Sequence, residues 1–214
     1  MPNRNLADIR IHYQKDALDW DKLAADPLLS LQQWINDAIA EKLYEPTAMM
    51  LATVDAEQQP HARIVLLKDL DSGLVFYTHY TGSKGQELAH NPKAALTFFW
   101  PEMERQVRVE GMVEKVSTEQ SDRYFASRPR DSQLGACASA QGQVVANRAE
   151  LEAHFADVAA EFAGKAVQRP DHWGGYRLVP QRFEFWQGRP NRLHDRLVFK
   201  RQADGFWATE RLAP

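Results

Sequence analysis

The chain has one cysteine, Cys137, among its 214 residues. A single cysteine excludes an intramolecular disulfide and is typical of a protein from a reducing compartment. No window approaches ~18 consecutive apolar residues, so the sequence predicts no membrane span. The opening M-P-N-R-N-L-A-D-I-R has no apolar run of the signal-peptide kind. We therefore expect a cytoplasmic protein without a membrane partner.

Net charge and familiar motifs are also scarce. The formal net charge is −3, which argues against a general nucleic-acid-binding protein, because such proteins usually carry a strongly basic surface. The chain lacks G-x-G-x-x-G, Walker, H-E-x-x-H and paired-cysteine motifs, and its histidines lack metal-ligand spacing. The sequence therefore predicts neither a dinucleotide site of the Rossmann type nor a metal site.

Hydrophobic periodicity organises the first half of the chain. Residues 1–25 are polar and without strong periodicity, which is compatible with a mobile N-terminal arm. Asp26 followed by Pro27 is typical of a helix N-cap and first position, and apolar residues at helical spacing predict a helix over 27–43. Five short apolar or alternating runs between 47 and 116 then predict strands. A short helix is expected at 82–90, in the longest of the connections.

The second half turns helical and then returns to strands. Over 117–163, Ser117 and Asn147 have the spacing of helix caps, and a stripe from Leu151 to Phe162 predicts a second long helix. Four strand patterns follow: Y-R-L-V, R-F-E-F-W, R-L-V-F-K and F-W-A-T-E-R. Strands and helices do not alternate as βαβ units, so we predict an α+β antiparallel barrel with flanking helices, in one domain over 26–214.

Cations and hydroxyls cluster at two strand ends. In R-I-V-L-L-K, Arg63 and Lys68 have opposite parity, so both can serve one site only if Lys68 lies past the strand end or at a bulge. Ser83 and Lys84 open the short helix that follows Tyr77-Thr78, where free backbone N–H groups could cradle a phosphate. The first cluster is also compatible with a hydrophobic strand that has charged ends, and the second is a weak signal on its own.

A further cluster lies in Y-F-A-S-R-P-R-D-S. Tyr124 and Arg128 are four residues apart on one helix face, and Pro129 should end the helix at Arg128. Ser132 would then begin the next helix, where its hydroxyl and free N–H groups converge. These residues suggest a second phosphate site, although a helix–turn–helix with capping residues explains them as well.

The segment R-L-H-D-R at 192–196 follows an aromatic strand that ends near Trp186. Arg192, His194 and Arg196 offer groups that bind anions, because guanidinium forks match phosphate or carboxylate oxygens. A solvated charged loop is an equally good interpretation of this segment alone. Asp195 could orient a neighbouring base or simply pair with Arg196, and simple pairing is the favoured interpretation.

Several motifs in order resemble the pyridoxine (pyridoxamine) 5′-phosphate oxidase family. They are R-I-V-L-L-K, F-Y-T, E-R-Q-V-R-V-E-G, Y-F-A-S-R-P-R-D-S-Q-L-G-A, H-W-G-G-Y-R, F-E-F-W-Q-G, R-L-H-D-R and a terminal R-L-A-P. The resemblance runs from about residue 7 to the last residue. It implies a homodimeric split β-barrel with FMN at the subunit interface, which oxidises pyridoxamine 5′-phosphate or pyridoxine 5′-phosphate to pyridoxal 5′-phosphate. Dioxygen would be the acceptor, giving hydrogen peroxide, with ammonia released from the amine.

The resemblance also implies roles for residues. The flavin contacts would fall on Arg63, Lys68, Tyr77, Thr78, Ser83, Lys84, Gln106, Gln141, Gly142, Trp186 and Arg196. The substrate phosphate would be held by Lys68, Tyr124, Arg128 and Ser132. Arg10 and Tyr13 would close over the substrate, and Arg192 and His194 would face its reacting carbon. Arginine does not readily give up a proton, so His194 is the better candidate for proton transfer.

The chain departs from the family pattern at two positions. Ser83 stands where an arginine is common, and Gly142 stands where a serine is common. A phosphate dianion would lose one cation and one hydroxyl there, so our hypothesis is that its binding depends more on Arg63 and Lys84.

Two other functions stay open at this point. A split-barrel flavin reductase would keep the cofactor residues but would not need the clamp of Tyr124, Arg128 and Ser132. A carrier of flavin or vitamin B6 would not need the R-L-H-D-R constellation.

Overall fold

The computed structural model describes residues 5–9 and 11–214 of the chain. Within these residues it has five α-helices and nine β-strands. The helices are α1 (Pro27–Ala40), α2 (Ser83–His90), α3 (Thr118–Ser127), α4 (Arg130–Ala138) and α5 (Arg148–Glu161). The strands are β1 (Ala48–Val54), β2 (Pro60–Leu66), β3 (Asp69–Leu70), β4 (Leu74–His79), β5 (Lys93–Trp100), β6 (Arg105–Lys115), β7 (Trp173–Gln187), β8 (Asp195–Arg201) and β9 (Trp207–Arg211). None of the helices in this described part is long and apolar enough to cross a membrane.

The strands hydrogen bond in the order β2-β1-β5-β6-β7-β4-β3, with β8 paired to β7 and β9 paired to β8. The β4–β7 and β7–β8 ladders are antiparallel. This arrangement confirms the α+β class and the antiparallel pairing that the lack of βαβ alternation predicts.

The two strand patterns Y-R-L-V and R-F-E-F-W form one strand, β7, so the prediction of two separate strands was wrong. β7 pairs with β4 through Trp173 to Leu178 and with β8 through Arg182 to Gln187. Pro180 falls between these two ladders, so its missing N–H group interrupts neither of them. A proline therefore does not end the strand here.

The chain divides into two compact units, each assembled from separate segments. The first unit contains the described residues of Met1–Met49, together with Leu96–Val109 and Gln181–Pro214. The second unit contains Met50–Ala95 and Glu110–Pro180. The arm and the single domain over 26–214 that the sequence suggests stay predictions.

Helix α1 begins as its sequence predicts. The Asp26 side chain accepts a hydrogen bond from the Leu28 N–H, and Pro27 occupies the first helical position. The helix buries Leu31 and Trp34, and the Trp34 ring meets Phe185 edge-on at 5.2 Å. It ends at Ala40, earlier than the predicted residue 43, because Lys42 adopts a left-handed φ of 57°.

The second unit has a core of β4 and β7 residues, including the fully buried Phe76 and Leu178. Helix α5 covers this unit only loosely. Val158 is buried, but Leu151 is 43% exposed. The predicted apolar stripe of α5 was therefore wrong at its N-terminal end, although Asn147 caps the helix as expected by accepting from the Glu150 N–H.

Candidate functional site

The second unit contains a cavity of about 530 Å³, which we call the cationic pocket. This volume is in the range of small-molecule sites. Nine residues that the sequence assigns to cofactor or substrate line it together: Arg63, Lys68, Tyr77, Thr78, Lys84, Tyr124, Arg128, Ser132 and Gln141. Groups separated by up to 78 positions in the sequence (63 to 141) thus converge on one cavity.

The parity problem of Arg63 and Lys68 is resolved as the sequence analysis required. Strand β2 ends at Leu66, so Lys68 lies past the strand end. The Lys68 N–H donates to the Val75 carbonyl at 2.8 Å, which turns the chain towards β4. Both cations therefore line the cationic pocket.

Arg63 is held by two partners on the neighbouring elements of its unit. Its guanidinium makes an ion pair with Glu87 of α2 at 2.7 Å and donates to the Thr53 hydroxyl of β1. Thr53 in turn donates to Glu87. Glu87 and Thr53 are both buried, so they hold the Arg63 guanidinium in one orientation at the pocket.

Lys84 and Thr78 converge on a single acceptor. The Gln141 side-chain carbonyl accepts from the Lys84 ammonium at 2.8 Å and from the Thr78 hydroxyl at 3.1 Å. With its carbonyl engaged, Gln141 keeps its amide N–H₂ for another partner. Burial, and then the nearby Arg63 charge, lower the pKa of Lys84.

Ser83 and Gly142 lie outside the cationic pocket. Ser83 is the first residue of α2 and lines a separate cavity of about 370 Å³ with His61 and His90. Gly142 has φ of +89°, a conformation that L side chains rarely adopt. A serine side chain at 142 would therefore be strained in this backbone conformation.

A stack of aromatic rings forms one wall of the pocket. Tyr77 and Tyr124 stack at 3.8 Å between centroids, and Trp173 lies parallel to Tyr124 within 3° at 6.2 Å. The Arg128 guanidinium lies over the Trp173 ring at 4.7 Å. Burial raises the pKa of Tyr77 to about 12, so its phenol stays protonated at neutral pH.

The turn around Pro129 has the predicted geometry. Helix α3 ends at Ser127, and Arg128 is extended with ψ of 149°. Ser132 lies in the first turn of α4, and its N–H donates to the Pro129 carbonyl at 2.9 Å. Arg128 Nη1 is buried and has no hydrogen-bond partner among the described residues, which marks this cation as one that a ligand would stabilise.

Sequence reasoning missed two residues that line the pocket, His79 and Trp173, and the residue that pairs with Arg63, Glu87. His79 lines the pocket, is buried, and stacks on His172 at 5.2 Å. Burial, reinforced by His172, Lys84 and Arg128, lowers the pKa of His79 to about 4. The only available signal was its position directly after Thr78 at the end of β4.

The first unit contains a second cavity, of about 970 Å³, which we call the aromatic pocket. It is lined by Tyr13, Trp186, Arg192 and His194, four residues that the resemblance assigns to the ligands. Tyr13 meets Trp186 edge-on at 5.7 Å and His194 at 5.6 Å. Arg10 lies outside the described residues.

His194 is oriented by its own loop. Its Nδ1 accepts a hydrogen bond from the Arg189 N–H at 3.1 Å. The proton of the neutral ring is thereby assigned to Nε2, which becomes a donor. Burial, and then the nearby Arg192 charge, lower the pKa of His194, so the ring is neutral at neutral pH.

The loop before His194 has a strained backbone. Asn191 and Arg192 both have left-handed φ values, of 58° and 61°. Non-glycine residues in this region cost on the order of 1 kcal/mol each and cluster at functional sites. These backbone dihedral angles set the direction in which the Arg192 side chain projects from the loop.

The predicted pairing of Asp195 with Arg196 was wrong. Adjacent residues of β8 point to opposite faces of the sheet. Asp195 instead pairs with Arg211 at 2.9 Å, whereas Arg196 pairs with the buried Glu184 at 2.7 Å. Arg196 is therefore held within the first unit by a carboxylate that the sequence analysis did not select.

The segment after Tyr13 is anchored within the first unit. The Glu104 carboxylate accepts from the N–H groups of Gln14 and Lys15 at 2.8 and 2.9 Å. The Asp195 carboxylate accepts from the Leu18 N–H at 3.0 Å. Gln106, on β6, lines neither the cationic nor the aromatic pocket.

Comparison with known proteins gives consistent matches over nearly the whole chain. A family model described as pyridoxamine 5′-phosphate oxidase matches residues 35–162, and one described as the pyridoxine 5′-phosphate oxidase C-terminal dimerisation region matches residues 173–214. The pyridoxine/pyridoxamine 5′-phosphate oxidase of Pseudomonas paraeruginosa is 55% identical and covers 99% of each chain. The oxidase of the same name from Burkholderia vietnamiensis is 54% identical over 98% of this chain and 99% of that protein.

Solved structures agree on the fold. PhzG from Burkholderia lata, solved with tetrahydrophenazine-1-carboxylic acid, has a TM-score of 0.87 at 31% identity, over 93% of this chain and 98% of that chain. An FMN-binding, pyridoxamine 5′-phosphate oxidase-related protein from Nostoc punctiforme has a TM-score of 0.71 at 15% identity, over 88% of this chain and 98% of that chain. These neighbours confirm the split β-barrel class predicted from the motifs.

Proposed function

We propose that this chain, which belongs to the pyridoxamine 5′-phosphate oxidase family, oxidises pyridoxamine 5′-phosphate and pyridoxine 5′-phosphate to pyridoxal 5′-phosphate. The activity would use FMN and dioxygen and release hydrogen peroxide, with ammonia from the amine. Its cytoplasmic location stays a prediction. The observation that carries the proposal is the convergence of four cations, Arg63, Lys68, Lys84 and Arg128, on one aromatic-walled pocket.

The residues present fit FMN. A flavin phosphate needs cations and donors, and the cationic pocket offers the Arg63 guanidinium and the Lys84 ammonium. The Gln141 amide can donate to a polar edge of the ring, because its carbonyl is already engaged. When bound, the cofactor would supply the two-electron acceptor that no side chain of the protein can provide.

The substrate phosphate is assigned to Lys68, Tyr124, Arg128 and Ser132. All four line the cationic pocket, and the unpartnered Arg128 Nη1 is consistent with a guanidinium that awaits an anion. A phosphate clamp fixes the orientation of the ring that carries it. Orientation of this kind can lower a barrier by several kcal/mol, ~7–11 at best.

Arg192 and His194 are assigned to the reacting end of the substrate. Neutral His194 presents Nε2–H as a donor, because its Nδ1 is taken by the Arg189 N–H. It can therefore hold the amine or hydroxyl at the reacting carbon by donating to its lone pair. Arg192 stays charged and positions this end without transferring a proton.

We also propose that the chain works as a homodimer with FMN at the subunit interface. The match of residues 173–214 to a dimerisation region supports this assignment. Met50, Ile64 and Phe99 are apolar strand residues that are 46%, 62% and 53% exposed, and a partner subunit would cover such side chains. The roles of Gln106, Trp186 and Arg196 at the flavin stay predictions.

Product formation tests the proposed activity. The FMN-loaded protein is mixed in air with pyridoxamine 5′-phosphate or with pyridoxamine, which lacks the phosphate. We expect pyridoxal 5′-phosphate and peroxide in equal amounts from the first substrate and far slower turnover of the second. A protein that binds FMN and pyridoxamine 5′-phosphate without forming product is a carrier, and one that reduces added flavin with a nicotinamide donor is a reductase; either result contradicts the proposal.

A further inference from the structure

Glu87 is an acidic residue that pairs with Arg63, one of the cations of the cationic pocket, and itself lines the neighbouring cavity that contains Ser83. It lies on α2, one helical turn after Lys84, and only 7% of its surface is exposed. Burying a carboxylate is costly unless it is paired and hydrogen bonded. Glu87 is both, because Arg63 and Thr53 donate to the same carboxylate oxygen.

The three residues form a closed network. Arg63 uses Nη1 for the Thr53 hydroxyl and Nη2 for Glu87, while Thr53 donates to Glu87. A guanidinium held through both terminal nitrogens cannot rotate away from its direction without breaking two contacts. Its side chain still lines the cationic pocket, so the network fixes Arg63 as it faces the cavity.

Glu87 also offsets the electrostatic repulsion between two cations, Arg63 and Lys84. Arg63 lowers the pKa of Lys84, whereas Glu87 acts in the opposite direction on the same ammonium. Without the carboxylate, Arg63 and Lys84 would repel each other at a site with no anion bound. The carboxylate therefore keeps both cations close together before a ligand arrives.

We propose that Glu87 is a positioning residue for the cofactor phosphate, which acts by holding the Arg63 guanidinium in its binding direction through the Thr53–Glu87–Arg63 network. This inference rests on the proposed binding of FMN in the cationic pocket. It predicts a counterintuitive result: removing a negative charge beside the phosphate site weakens the binding of a phosphate dianion.

The test measures cofactor binding without turnover. Apoprotein of the full chain is titrated with FMN and with riboflavin, which lacks the phosphate, and quenching of flavin fluorescence gives each Kd. We expect Glu87→Ala to weaken FMN binding on the order of tenfold, because it removes the charge-assisted hydrogen bond that holds Arg63. Riboflavin binding should stay unchanged. Glu87→Gln keeps an acceptor for Arg63 and should stay within about threefold of wild type.

Asp71→Ala is the matched control. Asp71 makes a carboxylate–arginine pair with Arg177 at 2.5 Å in the same unit and does not line the cationic pocket. Its removal should change neither Kd. In a double-mutant cycle, Arg63→Ala combined with Glu87→Ala should cost no more FMN affinity than Arg63→Ala alone, because Glu87 acts through Arg63.

Two results would overturn the inference. FMN binding by Glu87→Ala that equals or exceeds that of wild type means that the carboxylate does not position Arg63. An equal loss of FMN and riboflavin means that Glu87 only supports the fold. If Glu87→Ala does not fold, Thr53→Val removes the other anchor, and unchanged FMN affinity in that variant overturns the inference instead.

Failure of the proposed function can be distinguished from failure of the inference about Glu87. A wild-type protein that binds FMN but makes no pyridoxal 5′-phosphate refutes the proposed activity and leaves the Glu87 measurement intact. A wild-type protein that does not bind FMN overturns both.

Discussion

Lowering the pH should destabilise the chain through His79. The side chain is only 5% exposed, and its Nδ1 is buried without a partner among the described residues. The pKa of His79 in the folded chain is about 4, below the ordinary value of 6.5. Between these two pH values His79 is protonated in the unfolded chain but neutral in the folded chain. The free energy of unfolding therefore falls as the pH drops from 6.5 towards 4.

The size of this effect follows from the two pKa values. A difference of 2.5 units corresponds to about 3 kcal/mol when the pH lies below both values. At pH 5 the loss is about 2 kcal/mol, a measurable fraction of the ~5–15 kcal/mol that stabilises a typical protein. Lys84 and Arg128 add to the depression of the His79 pKa. A phosphate ligand that offsets their charge should therefore make the free energy of unfolding depend less steeply on pH.

Urea unfolding of the apoprotein between about pH 7 and pH 5 measures the effect. Other groups titrate in this range, so the relevant quantity is the difference between wild type and His79→Leu, which should lose about 2 kcal/mol less on acidification to pH 5. His90→Leu, at the exposed end of α2, controls for the loss of a histidine. Identical pH slopes in wild type and His79→Leu would refute the reasoning.

Substitutions at four further positions test other parts of the account. Trp173→Leu should raise the KM for pyridoxamine 5′-phosphate on the order of tenfold, since the ring supports Arg128. Trp173→Phe keeps an aromatic ring and should bring the KM most of the way back to that of wild type. The same KM in both variants would contradict this role. Glu184→Ala should lower the free energy of unfolding by about 3 kcal/mol, because Glu184 is a buried counter-ion of Arg196, and an unchanged denaturant midpoint would count against it. Glu104→Ala should speed tryptic cleavage at Lys15, whose N–H it holds, and an unchanged cleavage rate would mean that other contacts anchor the segment. Ser83→Arg should tighten FMN binding by adding a cation at the start of α2; an unchanged Kd would mean that Ser83 is not a weakness.

Local signals in the sequence predicted the elements well. Asp26-Pro27 set the start of α1, and Pro129 set the break between α3 and α4. The parity of Arg63 and Lys68 predicted that both could serve one site only if Lys68 lay past the strand end or at a bulge, and Lys68 lies past the strand end. Each of these outcomes depends on residues close in sequence, where backbone geometry limits the choices.

What the sequence did not predict depends on partners distant in the chain. Asp195 was predicted to pair with its neighbour Arg196. Side chains alternate between the two faces along β8, so Asp195 pairs with Arg211 instead. Glu87 lies 24 residues from Arg63, and no local pattern distinguishes it from a solvated helix residue. His79 likewise acquires its low pKa only from burial beside cations that the fold brings together.

The central claim is that the pocket lined by Lys84 and Arg128 brings a reducible flavin and a phosphorylated substrate together. Mixing the FMN-loaded protein with pyridoxamine 5′-phosphate in the absence of oxygen tests this claim most directly, with the flavin absorbance as the readout. We predict bleaching of one flavin per subunit and recovery of the yellow colour when air is admitted. A flavin that stays oxidised in the presence of saturating pyridoxamine 5′-phosphate and pyridoxine 5′-phosphate would contradict the account.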